Sequence, residues 1–474
     1  MHNSISRPAA PAGVSAELVR GLGPWQATAV VISVIVGTGV FLVAGPIART
    51  AGSLVLFHVT WIAGSVIALC GALCFAELGA ALPAAGGLYC YLTRGLGPVW
   101  GFLFGWMSAV LGTPAGIAAI AAGFVRFASY LVPQLDEPWM TLHLGHLSFS
   151  LGGAQPLAAS VVLVMTALNY LSVRVGGGVQ LFLSSFKVGA IGVIIIAAAL
   201  WTGRPAEVPA PAMVMPSVTA IGGVLSAMVP VMWAYNGLQN LGCLGGEVRN
   251  PAKNIPAALL RGMLVVITLY VLVDVMYVHV LPFSRVARSE HVASDVVRSL
   301  FGPAGATWLT VAMGISALAT LHAVLMTESR VAYALSRAGL FFRFAARVQP
   351  RFRSPEGALL FAGTLGAVIA LTGTFEELIS LYIFANWLFF ALGALALIHL
   401  RATQPDLPRP YRAWGYPFTP FLFLFAALAL TLNLWLDRPV RSSIGLLVIL
   451  AGLPCYYAWA GRSRKPDTAH APSP

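Results

Sequence analysis

Charged residues are scarce in this chain of 474 residues, since Asp, Glu, Lys and Arg together make up only 9%. An average soluble domain carries about 25% charged residues, so this chain lacks the side chains needed to cover a water-facing surface. A multi-domain soluble enzyme and a soluble body on one membrane anchor are therefore both excluded. The chain has instead 58% hydrophobic residues and a mean hydropathy of +0.83. It is predicted to be a polytopic integral membrane protein.

Features of enzymes and of nucleic-acid-binding proteins are also missing. The sequence contains neither His-Glu-x-x-His nor Gly-x-Ser-x-Gly, which mark zinc peptidases and serine hydrolases. Its five cysteines form no metal-ligand pattern with histidines: Cys70, Cys74, Cys90, Cys243 and Cys455. The net charge of +12 is spread over short loops, unlike the basic face of a nucleic-acid-binding protein. We therefore expect no enzyme activity, cofactor, metal or nucleic-acid partner.

Long stretches without charge indicate where the chain crosses the membrane. A spanning helix needs about 20 mostly apolar residues, and ten charge-free stretches come close to or exceed this length: 21–48, 50–76, 95–125, 138–173, 208–246, 299–327, 357–375, 378–400, 413–436 and 442–461. Two more helices, at 179–201 and 255–281, carry one or two internal charges. Twelve helices are predicted, with residues 133–155 as an external loop. A transmembrane β-barrel is excluded because its strands alternate polar and apolar residues.

The distribution of Lys and Arg predicts the orientation. If both termini lie on one side, 19 of the 28 basic residues share that side, eight lie opposite, and Lys187 falls inside a helix. Cytoplasmic loops carry the excess of positive charge in membrane proteins. Both tails, 1–22 and 462–474, are thus predicted to be cytoplasmic in a multi-pass protein of the cell membrane, embedded in the lipid bilayer.

Two predicted helices are interrupted at matching places. Helix 1 contains Gly37-Thr38-Gly39 in its middle, and helix 6 reads Trp-Ala-Tyr-Asn-Gly at 233–237. Glycines two residues apart do not share one face of a helix, which favours an unwound segment over close helix packing. Helices 1 and 6 begin two sets of five, 23–202 and 217–400, and helices 11 and 12 follow at 413–461. Because five is odd, the second set is inserted upside down, and paired breaks of this kind indicate a transporter's central binding site.

Short motifs lie at the ends of several predicted helices. Residues 37–41 read Gly-Thr-Gly-Val-Phe, residues 83–91 read Pro-Ala-Ala-Gly-Gly-Leu-Tyr-Cys-Tyr, and residues 247–256 read Glu-Val-Arg-Asn-Pro-Ala-Lys-Asn-Ile-Pro. With further matches at 75–79, 329–334 and 405–410, the chain resembles the amino acid–polyamine–organocation transporter superfamily, and within it the L-type amino acid transporter branch. The resemblance implies an all-α, LeuT-like fold with a five-plus-five inverted repeat and broken helices 1 and 6.

The sequence departs from the family pattern at three places. Gly246 precedes a lone Glu247 where relatives often carry two acidic residues, Asn236 replaces a small or acidic residue, and Asp274 is unusual in helix 7. These differences bear on the preferred substrate and on proton coupling, and they leave the expected fold unchanged.

The broken helices supply the groups that a zwitterionic amino acid needs. Amides at the start of a half-helix carry partial positive charge, and carbonyls at a helix end carry partial negative charge. The amides expected at the substrate carboxylate lie in the helix 1 break near Thr38, Gly39 and Val40. Gly37 is also assigned to this site, because glycine lets the backbone approach a ligand closely. The carbonyls expected at the substrate ammonium come from both breaks: Ile35, Trp233, Ala234 and Asn236.

Side chains after Pro230 in helix 6 are expected to shape the pocket. The resemblance implies that Trp233 covers the bound substrate, while Tyr235, Asn236 and Gln239 could line the pocket for its side chain. Neither broken segment contains a charged residue, which favours a substrate with a neutral side chain.

Lys187 is the most informative single charge. It lies about nine residues, or about 13 Å, into helix 5, and a cation at such depth is costly and indicates a function. The resemblance implies that its amine takes the place of a sodium ion, reaching carbonyls near Val34 and Ile35 and the side chain of Ser316. The alternative is a purely structural tether between helices.

Charged residues at the inner helix ends are interpreted as gate or loop-anchoring residues: Glu77, Glu247 and Arg249. Together these features predict a secondary transporter of neutral L-amino acids that is sodium-independent and works by alternating access, as an exchanger or a facilitator. A proton-coupled symporter of amino acids or amines, with Lys187 or Asp274 exchanging the proton, stays the alternative.

One expectation concerns partners. Some animal members of the family are linked to a single-span subunit by a disulfide in the external loop between helices 3 and 4. Residues 126–155 contain no cysteine, so no disulfide-linked accessory subunit is expected, and the amino acid and the lipid bilayer are the expected partners.

Overall fold

The computed structural model describes residues 20–144, 147–171, 176–203, 220–350, 354–373 and 375–463. Most of the predicted tails, 1–22 and 462–474, therefore lie outside the described residues. In the described ranges, nine helical segments are long and apolar enough to cross a membrane: Pro24–Leu42, Leu54–Ala81, Pro98–Leu131, Gln180–Ala199, Pro251–Val280, Val292–Arg337, Glu377–Thr403, Phe418–Asp437 and Pro439–Gly461. Three shorter apolar helices join them: Ala154–Tyr170, Gly223–Ala234 and Glu356–Ala370. The chain is a mostly helical, polytopic membrane protein.

The described residues contain nine α-helices in each half of the chain. Those of the first half are α1 Pro24–Ile35, α2 Gly39–Leu42, α3 Ala44–Ala51, α4 Leu54–Ala81, α5 Leu88–Gly95, α6 Pro98–Met107, α7 Thr113–Leu131, α8 Ala154–Leu171 and α9 Gly176–Ala199. A π-helical turn, Ser108–Gly112, joins α6 to α7, so these two helices act as one long span. Single π-helical turns inside helices often lie beside functional sites.

The predicted external loop contains a small β-sheet that the charge pattern did not reveal. Strands β1 Pro138–Leu144 and β2 Leu147–Gly152 pair antiparallel, with Thr141 opposite Ser150. The charge-free stretch 138–173 thus combines a hairpin with α8, because absence of charge does not by itself distinguish a strand from a helix.

The second half also contains nine helices: α10 Ala220–Ala234, α11 Asn240–Cys243, α12 Pro251–Val280, α13 Phe283–Arg288, α14 Val292–Arg337, α15 Glu356–Ala370, α16 Phe375–Thr403, α17 Phe418–Asp437 and α18 Pro439–Ser463. The long helix α14 changes direction at Gly302, whose φ of 73° departs from helical geometry, just before Pro303. The rest of α14 runs through the interior.

Helix α1 lies at the centre of the molecule. It packs against α9, α12 and α14, and 89% of the Pro24–Leu42 span is buried within the protein, against 17% of the Pro439–Gly461 span. The exposed apolar side chains of α17 and α18 face outward, as expected for helices at the lipid boundary. The broken helix is therefore surrounded by protein on all sides, and this position allows unpaired backbone groups inside a membrane.

At the inner end of α4, Glu77 joins three parts of the chain. Its carboxylate is 1% exposed, receives two hydrogen bonds from Arg401 at 2.8 and 2.5 Å, and accepts one from the amide of Ala413 at 2.7 Å. Arg409 lies 3.6 Å from the same carboxylate. Glu77 thereby fixes the linker between α16 and α17.

Replacing Glu77 by alanine should destabilise the protein strongly, because Arg401 and Arg409 would lose the carboxylate that compensates their buried charge. Removing one partner of a buried ion pair costs about 3 kcal/mol or more. The melting temperature of purified protein in detergent measures the effect. Asp437→Ala, which removes an exposed pair with Arg438, is the control and should change little. An equal melting temperature for both variants would contradict this role of Glu77.

Candidate functional site at two helix breaks

The first helix is opened at the Gly-Thr-Gly motif. Helix α1 ends at Ile35, where the amide of Gly37 turns back to the Ile35 carbonyl at 2.8 Å. A new helical run begins at Gly39 and continues through Val43 into α3. The amides of Thr38, Gly39 and Val40 lie at the start of this run, where a helix has no internal acceptors for its amides.

The second break follows α10. The helix ends at Ala234, the amide of Asn236 bonds the Trp233 carbonyl at 3.1 Å, and Gly237 has a φ of 109°. A positive φ strongly favours glycine, so Gly237 allows the chain to leave the helix before α11 begins.

The two breaks are packed against each other. A Cβ atom on Gly39 would lie 2.6 Å from Cα of Ala234, and one on Gly237 would lie 2.4 Å from Cγ1 of Val34. The structure thus places the predicted ligands of helix 1 directly beside those of helix 6.

Tyrosines of α12 bond carbonyls at both breaks, and two of these carbonyls are those expected at the substrate ammonium. The hydroxyl of Tyr270 lies 3.0 Å from the Ile35 carbonyl and 3.1 Å from the Ala234 carbonyl, and that of Tyr277 donates to the Val40 carbonyl at 3.1 Å. Because a tyrosine hydroxyl has one proton, Tyr270 shares it between its two carbonyls, and the Ile35 carbonyl also accepts from the amide of Gly37. No sequence signal singled out Tyr270 or Tyr277.

Lys187 lies in α9 and points at the opened end of α1. Its Nζ donates to the carbonyls of Ser33 at 3.2 Å and Val36 at 2.9 Å, and to the hydroxyl of Thr320 in α14 at 2.7 Å. The lysine side chain is buried, at 3% exposure. The predicted bridge between helices 1, 5 and 8 is present in this geometry.

The carbonyl partners of Lys187 lie near the expected residues, whereas its hydroxyl partner is a different one. The carbonyls are those of Ser33 and Val36, on either side of Val34 and Ile35, and they are free of helical hydrogen bonds where α1 unwinds. The expected side chain of Ser316 makes no hydrogen bond among the described residues. Thr320, one turn further along α14, takes its place.

Two more residues of α9 join the same face. Gln180 accepts a hydrogen bond from Ser33 Oγ at 2.8 Å, and Ser184 donates to the Ala29 carbonyl at 2.7 Å. Residues 180, 184 and 187 share one side of a helix. This polar stripe attaches α9 along α1, and its spacing was a usable sequence signal.

The second break contains two aromatic residues, Trp233 and Tyr235, and the polar side chain of Asn236. Trp233 packs edge-to-face on Tyr382 of α16, with ring centroids 5.4 Å apart, and Asn236 donates to the Tyr382 hydroxyl at 2.8 Å. Tyr235 is fully buried and its hydroxyl lies 2.7 Å from that of Ser65. Trp233 and Asn236 thus face α16, whereas Tyr235 faces α4.

Buried carboxylates lie on either side of the breaks. Asp274 in α12 pairs with His58 of α4, a partner that sequence analysis did not identify. Glu328 in α14 is close to Asn240 and Tyr382. It was overlooked because it ends a charge-free stretch and so reads as a helix terminus.

The inner side is joined by short polar contacts. Glu247 pairs with the buried Arg330 at 2.9 Å, and its carbonyl accepts from the amide of Leu22 at 3.0 Å, while the Arg249 amide donates to the Leu22 carbonyl at 2.9 Å. The inner end of α1 is therefore attached to the loop after α11, with Arg249 taking part through its backbone.

The outer side has its own ionic contact. Glu290, before α14, pairs with Arg49 at the end of α3 and with Arg126 of α7. Glu290 and Arg126 border a cavity that His291 also lines. Burial, together with the nearby guanidinium of Arg126, lowers the pKa of His291.

Comparison with known proteins identifies the family. The family model described as amino acid permease matches residues 22–457. The chain belongs to this family. The predicted resemblance to the amino acid–polyamine–organocation superfamily is confirmed, as is the prediction that this permease-family chain is not an enzyme.

Individual relatives match over nearly the whole chain. The branched-chain amino acid permease BcaP of Bacillus subtilis is 30% identical, covering 94% of this chain and 94% of the relative. The serine/threonine exchanger SteT of the same organism is 28% identical, covering 94% and 98%. The mouse b(0,+)-type amino acid transporter 1 is 27% identical, covering 96% and 92%.

A side chain at Gly39 should abolish amino acid binding, because its Cβ would displace the backbone of Ala234 and crowd the amides of the first break. We expect Gly39→Val to weaken binding by more than about tenfold, equivalent to about 1.4 kcal/mol, in protein that still elutes as a single folded species. Gly189→Val is the control, since a Cβ there meets nothing within 4 Å. Normal affinity in Gly39→Val would contradict the proposed location of the site.

Proposed function

We propose that this chain is a sodium-independent transporter of neutral L-amino acids that works by alternating access, most simply as an exchanger. The packed pair of helix breaks, with Lys187 bound across the opened end of α1, carries this proposal. The names of the relatives support it, since two are a serine/threonine exchanger and a branched-chain amino acid permease.

The substrate backbone would bind between the breaks. Its carboxylate would accept from the amides of the first break. Its ammonium would donate to carbonyls of both breaks, taking the place of the Tyr270 hydroxyl at Ile35 and Ala234. The ligands we propose are those of the sequence analysis: Ile35, Gly37, Thr38, Gly39, Val40, Trp233, Ala234, Tyr235 and Asn236. Partial charges of backbone groups suit a zwitterion because they need no charged side chain.

Twelve spans account best for the chain. The nine long helices and the three shorter apolar ones would give two sets of five, in 23–202 and 217–400, followed by a pair in 413–461. Matching breaks at the start of each set favour a LeuT-like inverted repeat. Twelve spans would put both tails on one side of the membrane, and the excess of Lys and Arg on that side favours the cytoplasm of a cell-membrane protein.

Access to the site would alternate through the polar contacts at either end. We assign Glu247 and Arg249 to the inner gate, because opening it means separating the inner end of α1 from the loop that they hold. Glu77 would be the fixed anchor behind this gate. At the opposite end, the pairs of Glu290 with Arg49 and Arg126 are half-exposed. Ion pairs of this kind contribute little stability each, so they can break and re-form in a transport cycle.

A proton-coupled symporter is the second candidate. The observation that favours it is the pair formed by Asp274 and His58, because a carboxylate and an imidazole inside the protein can exchange a proton. Lys187 could lose its proton in the same way.

Counterflow in proteoliposomes distinguishes the two candidates. Vesicles containing only this chain, preloaded with a neutral amino acid, should accumulate labelled neutral amino acids without sodium, and a pH gradient should not drive uptake. Vesicles with Gly39→Val should accumulate none. Uptake that requires a pH gradient, or that occurs only with charged amino acids or amines, would contradict the proposal.

Lys187 should be essential while sodium is not. If its ammonium replaces a sodium ion, exchanging sodium for choline should leave wild-type transport unchanged, and Lys187→Ala should abolish it by releasing α1 from α9 and α14. The exposed Lys253→Ala is the control and should transport normally. Sodium-driven uptake by the wild type, or full activity of Lys187→Ala, would show that this role is wrong.

We also propose that no accessory subunit is attached by a disulfide in the loop between α7 and α8, because residues 126–155 lack cysteine. Counterflow by the purified chain tests whether it transports by itself.

A further inference from the structure

A buried carboxylate lies directly behind the proposed side-chain pocket. Glu328 is 7% exposed, and its Oε1 accepts from Asn240 Nδ2 at 3.2 Å and from the Tyr382 hydroxyl at 3.5 Å. The side chain of Thr113 also bonds it. Glu328 is thus surrounded by polar groups from α7, α11 and α16.

No cation compensates this carboxylate among the residues that the structure describes. Arg330, on the same helix, is paired with Glu247 and the Met326 carbonyl, and Lys187 binds at Thr320, about 12 Å away along the axis. The titratable groups facing Glu328 from neighbouring elements are the Cys243 thiol of α11 and the phenol of Tyr382 in α16. An uncompensated charge at this depth is costly.

The helix α7 packs closely against α16 beside Tyr382. A Cβ atom on Gly116 would lie 2.7 Å from the ring of Tyr382, and one on Gly112 would lie 3.2 Å from the side chain of Asn386. The phenol that bonds Glu328 is thus held in a tightly packed surrounding, and protonation changes the charge of Glu328 without adding volume.

A short chain of contacts connects Glu328 to the second break. The Tyr382 hydroxyl that donates to Glu328 accepts from Asn236, and its ring packs on Trp233. Two hydrogen bonds, through the Tyr382 hydroxyl, therefore connect Glu328 to Asn236, which lines the proposed side-chain pocket. A negative charge on Glu328 orients the amide of Asn236 through this connection.

We propose that Glu328 is a proton-binding residue of the substrate site. A neutral amino acid binds tightly only when the side-chain carboxyl group of Glu328 is protonated. Raising the pH transfers this proton to water, leaves an uncompensated charge behind the pocket and weakens binding. This inference rests on the proposed function. In exchange, the proton accompanies the substrate in both directions, so no net proton flux results.

The test measures binding of a labelled neutral amino acid, one that is active in counterflow, to the full-length protein between about pH 6 and about pH 9. Wild-type affinity should fall with rising pH, by up to about tenfold per unit for one proton. Glu328→Gln, which resembles the protonated form, should bind equally well across the range, with the wild-type affinity of low pH. Glu356→Gln, at the start of α15 and bonded to Tyr170, is the matched control and should keep the wild-type pH dependence.

Two results would overturn the proposal: constant wild-type affinity over the range, or the same pH dependence in Glu328→Gln as in the wild type. If Glu328→Gln does not fold, Glu328→Asp keeps the carboxyl group but moves it, and the midpoint of its pH dependence should shift. An unshifted midpoint would assign the proton to another group. Absence of counterflow with every amino acid would instead reject the proposed function itself.

Discussion

The arrangement at the centre of the molecule depends on one ammonium group that binds an opened helix end. Unwinding α1 at Val36 frees carbonyls inside a membrane, where water does not compensate them. Lys187 supplies donors to the carbonyls of Ser33 and Val36 and a positive charge where the helix end has a partial negative one. Because the lysine belongs to α9 and its third partner, Thr320, belongs to α14, the same contact sets the distances between three helices.

The tyrosines of α12 solve the remaining part of this problem. The hydroxyl of Tyr270 lies within hydrogen-bond distance of one carbonyl from each break, and Tyr277 bonds the Val40 carbonyl in α2. A hydroxyl gives a single donor without the desolvation cost of a charge, so the substrate ammonium that we propose would replace such a bond at small cost. The breaks are thus held open by neutral groups on one side and by one cation on the other.

Glycines and side chains have different roles at the two breaks. Gly39 and Gly237 allow the two unwound segments to approach within van der Waals contact, and the Trp233–Tyr382 pair closes one side of them. Glu328 lies on the far side of that pair. These residues are far apart in the sequence, where nothing indicates that they belong to one site. Their roles follow only from their positions relative to one another in the fold.

The sequence alone determined the membrane-spanning character, the approximate helix limits, both helix breaks and the position of Lys187 inside an apolar helix. These features are local, because a charge-free run, a Gly-x-Gly motif and a lone lysine each belong to one continuous segment of the chain. The charge pattern failed to predict two features. The β-hairpin at 138–152 is apolar without being helical, and Glu328 follows a charge-free stretch and so resembles a helix end.

Only the tertiary structure decided which groups meet. Ser316 and Thr320 lie one turn apart on one face of α14 and are equivalent in sequence, and the depth at which α14 crosses α1 selects Thr320. The pairing of Asp274 with His58, and of Tyr270 with both breaks, likewise joins residues that lie 36 to 235 positions apart. Such contacts depend on how each helix is rotated about its axis and how far it is shifted along its neighbours. The packing of complete helix surfaces sets this rotation and shift, and no single segment of the sequence encodes it.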